Sequence, residues 1–234
     1  MLTQECVTRE RLSIAGPAGM LAAELVYPAA DSASALAVLA NPHPLMGGTM
    51  HNNVIASLAE QLPGNRIVTL RFDYRGVGES EGDRADVEAA MAEFWRSGHA
   101  PQDAGLIADA LSIVSWAQRR VALPMAIVGY SFGAYAAVSV IGTVQAQALV
   151  LVSPTLCQHD FAGFESIDQP VLVIYSDNDF ATPRQTTEDW LASLPAAVQS
   201  LCVDGGEHFF KGREARIVGA ADAFIHSALA RGSR

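Results

Sequence analysis

Met125-Ala126-Ile127-Val128-Gly129-Tyr130-Ser131-Phe132-Gly133-Ala134 decides how this chain is read. The first four residues form a short apolar run, which predicts a buried strand. Residues Ala134 to Ile141 are small and apolar, which predicts a helix packed against the sheet that this strand joins. A serine with glycine two places before and two places after it, set at a strand-to-helix turn, is a nucleophile elbow. So tight a turn strains the serine backbone and presses residues 129 and 133 against neighbouring main chain, where a side chain would collide. The following helix directs its N-terminus at the hydroxyl, which favours negative charge developing there. A plain turn in an alanine-rich chain would use the same letters, so the decision rests on what flanks the motif.

A chain of 234 residues is long enough to bury one α/β core and short for two, and residues 1–234 read as a single domain. Half of the residues are hydrophobic and 17% are charged, the balance of a globular protein. The net charge of −10 argues against nucleic acid or an anionic membrane as partner, since both call for a basic face. Residues 121–159 contain no Asp, Glu, Lys or Arg, yet prolines, glycines and glutamines interrupt them too often for a membrane span. The centre of a sheet covered on both faces has the same composition. Cys6, Cys157 and Cys202 have neither disulfide-framework nor zinc spacing, and Met1-Leu2-Thr3-Gln4-Glu5 lacks the basic and apolar regions of a signal peptide. A cytoplasmic location is expected.

Outward from the elbow, strands are predicted at Val7–Ile14, Leu21–Tyr27, Ala35–Ala40, Arg66–Phe72, Ala148–Val152, Val171–Tyr175 and Val198–Val203. Helices are predicted at Asn53–Gln61, Asp103–Arg120, Arg184–Ser193 and Ala215–Ala230. Short apolar strands alternating with helices imply a mainly parallel, doubly wound sheet with helices on both faces. Right-handed crossovers then bring the loops that follow the strands to one edge, where ligands bind.

Acyl transfer by a serine needs a base to take the hydroxyl proton and a carboxylate to orient that base, following the nucleophile in the order Ser, Asp or Glu, His. Two carboxylates follow Val171–Tyr175, Asp177 and Asp179. The Thr182-Pro183 turn favours Asp179 as the inward-facing acid and leaves Asp177 to cap the loop or face solvent. The base is His208, after Asp204-Gly205-Gly206-Glu207, with two glycines to free the loop and Phe209-Phe210 to exclude water. His226 lies mid-helix, His99 in a polar stretch, and His159 after the wrong strand. An oxyanion hole needs two backbone donors. One is the Phe132 amide. The other comes from Asn41-Pro42-His43-Pro44-Leu45-Met46-Gly47-Gly48, where Pro42 and Pro44 have no N–H, so Leu45 is the first choice and Met46 the second. His43 is expected to shape this loop rather than to transfer protons.

Taken together, Asn41-Pro42-His43-Pro44 with Gly47-Gly48, Asp73-Tyr74-Arg75-Gly76-Val77-Gly78-Glu79-Ser80, the elbow, Asp177-Asn178-Asp179 and Glu207-His208-Phe209-Phe210 resemble the α/β-hydrolase superfamily in order and over nearly the whole chain. The resemblance is nearest to small, nearly capless bacterial members similar to dienelactone hydrolases and carboxylesterases. It implies Ser131 as nucleophile, Asp179 as acid and His208 as base, acting on a small soluble ester or thioester through an acyl-enzyme, with no metal or organic cofactor. Met46, Trp95, Phe180 and Phe209 are the expected substrate-binding residues. An acyltransferase, a C–C hydrolase and a non-catalytic binding member of the fold are the alternatives. The departure is at residues 84–102, where Val87, Ala90, Met91, Phe94 and Trp95 are spaced for one helical face. Three readings are open for it: a surface helix, a small lid, or a homodimer contact.

Overall fold

The computed structural model describes residues 7–28, 33–84, 86–97, 100, 102–195 and 197–232. Eight strands form one sheet: β1 (Val7–Gly16), β2 (Gly19–Pro28), β3 (Ala35–Ala40), β4 (Ile67–Phe72), β5 (Met125–Tyr130), β6 (Ala148–Val152), β7 (Val171–Asn178) and β8 (Gln199–Glu207). Their order is β1-β2-β4-β3-β5-β6-β7-β8. β1 pairs antiparallel with β2 and β2 with β4, while every other pairing is parallel. The mainly parallel α/β sheet is therefore as expected, with the reversed strand at the N-terminal hairpin. That hairpin closes through Pro17-Ala18, with Gly16 paired to Gly19 and Gly19 at φ +130°, a value that L side chains rarely adopt.

Among the described residues there are six α-helices, α1 (Asn53–Gln61), α2 (Val87–Ser97), α3 (Asp103–Arg120), α4 (Phe132–Ile141), α5 (Arg184–Ser193) and α6 (Glu214–Gly232); α2 packs on the loop after β3 and the other five on the sheet. Burial divides the core in two. Leu36, Val38, Leu70, Ile127, Leu149 and Val173 face α3, α4 and α5. Leu39, Ile67, Val128, Val150 and Ile174 face α1 and α6. Each such side chain taken out of water contributes about 1.5–3 kcal/mol before the entropy of ordering the chain is counted. Strands buried on both faces read as continuous apolar runs, which is why β3, β5 and β6 are charge-free.

Several boundaries shift, and each for a local reason. β4 begins at Ile67 because Arg66 turns left-handed at φ +68°, closing the preceding turn. α4 begins at Phe132, directly after the elbow serine. β7 and β8 run on to Asn178 and Glu207 through a bulge opposite Ser176–Asn178, so Gly205 and Gly206 belong to a bulged strand end and not to a free loop. The stretch 84–102 contains α2, whose start is capped by the Asp86 carboxylate accepting from the Ala89 amide at 3.0 Å. Ala90 is buried, Met91 and Phe94 half-buried and Val87 exposed. No described helix is long and apolar enough to cross a membrane.

Chain order reverses at the centre of the sheet: from β3 the chain moves outward to β4, then returns to the other side of β3 as β5. Crevices in open α/β sheets open at such a switch point, beyond the carboxyl ends of the strands. The loop after β3 and the elbow after β5 meet there.

Candidate active site

Ser131 caps the N-terminus of α4 with φ +57° and ψ −121°, a strained conformation for a residue carrying a side chain. The strain is imposed by packing. A methyl group on Gly129 would overlap the Gly133 carbonyl, and one on Gly133 would overlap the Ala40 carbonyl. The Ser131 amide donates to Val152 O at 2.8 Å, which ties the elbow to β6.

His208 follows β8, and its Nε2 lies 3.0 Å from Ser131 Oγ. Its Nδ1 is 2.9 Å from Asp179 Oδ1 and 3.0 Å from Oδ2. With the proton on Nδ1 held by Asp179, Nε2 is left as an acceptor for the serine hydroxyl. Asp179 also accepts from the amides of Ala181 at 2.8 Å and Thr182 at 3.2 Å, and Thr182 Oγ1 donates to Pro154 O at 2.9 Å. The Thr182-Pro183 turn thus fixes the carboxylate inward, as the sequence suggests. Burial alone would raise the pKa of Asp179, but the bonds from His208 and the Ala181 amide outweigh it and hold the group below the usual carboxylate range. It stays ionised beside the imidazole.

The outer supports were only partly legible. Asp177 accepts from the Gly205 amide at 2.9 Å and the Gly206 amide at 3.1 Å, pinning the bulge that leads to His208. Those two bonds, the Gly205 one foremost, lower its pKa. Asp177 is a loop cap, one of its two expected fates. The Tyr130 hydroxyl donates to His208 O at 2.8 Å, a support that the sequence did not reveal. Burial pushes the ionisation of Tyr130 up, so it remains a donor. Phe209 meets His208 edge-on at 5.6 Å and is part of the water-excluding wall. Phe210 does not join it: at φ +51° it turns into the core, edge-on to Tyr130.

A cavity of about 430 Å³ opens over Ser131, with Leu45, Met46, Phe94, Phe132, Phe180 and Phe209 among its lining. Of the residues expected to bind substrate, Met46, Phe180 and Phe209 line this cavity. The side chain of Trp95 lies outside the described residues, as does His99. The β3 loop forms a short 3-10 turn, Pro44–Met46, capped by His43: Nδ1 accepts from the Leu45 amide at 3.1 Å. His43 does shape its loop. The Met46 amide donates to His43 O at 3.0 Å. Both amides considered for the second oxyanion donor are therefore engaged within the turn in this state.

His159 also lines the cavity, although it cannot serve as the base. Sequence order placed it behind β6, and β6 neighbours β5, so the loop after it meets the elbow; only the strand order reveals this. Asp103, at the first position of α3, stands with Oδ1 3.2 Å from His43 Nε2 and Oδ2 3.4 Å from His159 Nε2.

Fold and site together define an α/β serine hydrolase, and comparison with known proteins gives the family. Residues 43–164, just over half of the chain, match the family model described as serine aminopeptidase, S33, and the chain belongs to this family. Among solved structures it is similar to an α/β serine hydrolase without a lid from Xanthomonas campestris, at 25% identity over 94% of both chains and a TM-score of 0.78. It is also similar to an α/β serine hydrolase homologue from Coxiella burnetii, at 27% identity over 90% of this chain and 94% of that one, with a TM-score of 0.77. A dienelactone hydrolase from Anabaena variabilis shares the fold at 18% identity over 95% of this chain and 98% of that one, with a TM-score of 0.74.

Proposed function

We propose that the protein hydrolyses neutral carboxylic esters or thioesters with an apolar acyl or alcohol group, through an acyl-enzyme on Ser131. The observation that carries this reading is the continuous line from Asp179 through His208 to Ser131, at 2.9 and 3.0 Å, beneath an apolar cavity. Ser131 Oγ attacks the carbonyl carbon while His208 Nε2 takes its proton, and Asp179 holds the imidazolium so formed. His208 then gives the proton to the departing alcohol or thiol, and water, deprotonated by the same nitrogen, releases the acid. The Phe132 amide, at the N-terminus of α4, faces the developing oxyanion. The Leu45 amide is the second donor, held in place by His43 Nδ1 and shared with the substrate oxygen as charge develops there, each such donor being worth about 10²–10³ in rate.

The cavity lining favours this substrate class over a peptide. An aminopeptidase must seat an ammonium group beside the scissile bond, yet no Asp or Glu occurs among the described lining residues. Nor does any Lys or Arg, which speaks against a substrate held by its carboxylate or phosphate. Rapid mixing with 4-nitrophenyl esters of increasing acyl length tests the reading. The expected result is a burst of nitrophenol of about one equivalent per site, lost in Ser131→Ala. No hydrolysis of any neutral ester or thioester by folded protein would overturn it.

A further inference from the structure

Behind two other histidines of the cavity lining, a second carboxylate sits between the two imidazoles. Asp103 spans His43 and His159 at 3.2 and 3.4 Å. His43 Nε2 and Asp103 Oδ1 are both buried, and apart from their 3.2 Å approach to each other neither has a hydrogen-bond partner among the described residues. The far nitrogens are also occupied: His43 Nδ1 by the Leu45 amide at 3.1 Å and His159 Nδ1 by Thr155 Oγ1 at 2.8 Å. An amide N–H can only donate, so His43 Nδ1 must be bare and its proton must lie on Nε2, facing Asp103. Asp103 Oδ2 lies 3.4 Å from His159 Nε2, which favours the proton there and leaves His159 Nδ1 to accept from the Thr155 hydroxyl. Both imidazoles then turn a protonated nitrogen to one carboxylate.

Both imidazoles pack on one side chain. His43 meets the Phe132 ring edge-on at 4.9 Å and His159 meets it at 5.5 Å. His159 is in turn stacked on Tyr135 at 4.6 Å, 26° from parallel. Phe132 is the residue after the nucleophile. Three separate chain segments, the β3 loop, the loop after β6 and the start of α3, are thereby locked around it. Burial works against charge on Asp103, but the bonds from His159 and His43 prevail and keep it ionised, as accepting from two donors requires.

We propose that Asp103 is a positioning residue for catalysis: by bridging His43 and His159 it fixes the Phe132 ring and the Pro44–Met46 turn that border the oxyanion site. This role rests on the esterase reading above. Asp103 touches no reacting atom; it acts through His43, so its loss lowers kcat and leaves KM nearly unchanged. Asp103→Leu removes both acceptors. Its effect should depend on His43, because in His43→Asn the amide oxygen can accept from the Leu45 N–H by a local turn that needs no carboxylate.

The test is kcat and KM for a 4-nitrophenyl ester in the wild type, Asp103→Leu, His43→Asn and the double variant, with long-range ¹H–¹⁵N spectra of the histidines at a pH where imidazoles are neutral. The expected fall in kcat for Asp103→Leu is about tenfold, a fraction of what a lost oxyanion donor costs, with KM within about twofold. In the His43→Asn background the fall should be at least about threefold smaller. The spectra should show both His43 and His159 protonated on Nε2. A kcat within about twofold of wild type, an equal fall in both backgrounds, or His43 protonated on Nδ1 would overturn the proposal. If Asp103→Leu does not fold, the wild-type spectra alone decide. If the wild type hydrolyses no ester, the esterase reading falls while the tautomers still test the clamp.

Discussion

Two aspartate–histidine clusters border one cavity, built from the same residue types and set to different work. In the first, Asp179 lies below His208 and the line ends on Ser131 Oγ, a hydroxyl with a proton to give. In the second, Asp103 lies between His43 and His159, and the line ends on the Leu45 amide and the Thr155 hydroxyl. The decisive difference is what the outer imidazole nitrogen meets. His208 turns a bare nitrogen toward an alcohol that the elbow holds in strain and aims at the cavity. His43 turns its bare nitrogen toward a main-chain amide, from which no proton can be abstracted at ordinary pH. A carboxylate and an imidazole in contact are thus not a catalytic unit by themselves; the third partner decides.

Breaking the first cluster should cost far more than breaking the second. Ser131→Ala should lower kcat for ester hydrolysis by on the order of 10⁶, measured at saturating substrate, if the triad acts as a unit. Asp179→Asn leaves the shape intact but supplies an amide where the imidazole needs an acceptor, so kcat should fall by on the order of 10⁴. The tenfold effect of Asp103→Leu comes next.

Stability sharpens the contrast further. The folded-state pKa of Asp179 lies below its ordinary value of about 3.9, so the stability it contributes is fully present above that pH and is lost as the pH falls through the folded value. Acid-unfolding curves of wild type should therefore drop more steeply below about pH 4 than those of Asp179→Asn. Parallel curves would contradict the ion-paired state of the carboxylate. The smallest effect belongs to Asp177→Ala, which frees the Gly205 and Gly206 amides at an exposed strand end. Its kcat should stay within about fivefold of wild type, with a small fall in Tm.

The sequence made the first cluster legible and left the second hidden, for a physical reason. Ser131, Asp179 and His208 each sit just past a strand, in the chain order that an elbow fold demands, and the elbow glycines mark the place by steric need. The helices Asn53–Gln61, Asp103–Arg120 and Arg184–Ser193 have the expected bounds because prolines lie just outside them, with Asn52 also capping the first. The second cluster joins residues 43, 103 and 159; His43 lies in the Asn41-Pro42-His43-Pro44 motif, but nothing in that motif points to Asp103 or His159. Its assembly depends on β3, β5 and β6 being adjacent, a fact of strand order that periodicity does not encode. The bulge opposite Asp177 is hidden in the sequence for a related reason: paired glycines signal freedom, and only the facing carboxylate converts that freedom into a fixed turn. Phe210 likewise reads in sequence as part of the wall, whereas its positive φ turns the ring into the core.

The central claim is that the elbow and His208 make one alcohol in this chain a nucleophile. Treating the folded protein with a fluorophosphonate and mapping the adduct by mass spectrometry tests it most directly. A single adduct on Ser131, absent from Ser131→Ala and strongly slowed in His208→Ala, is the expected result. An adduct on another residue, or an unmodified Ser131 in folded protein, would contradict it.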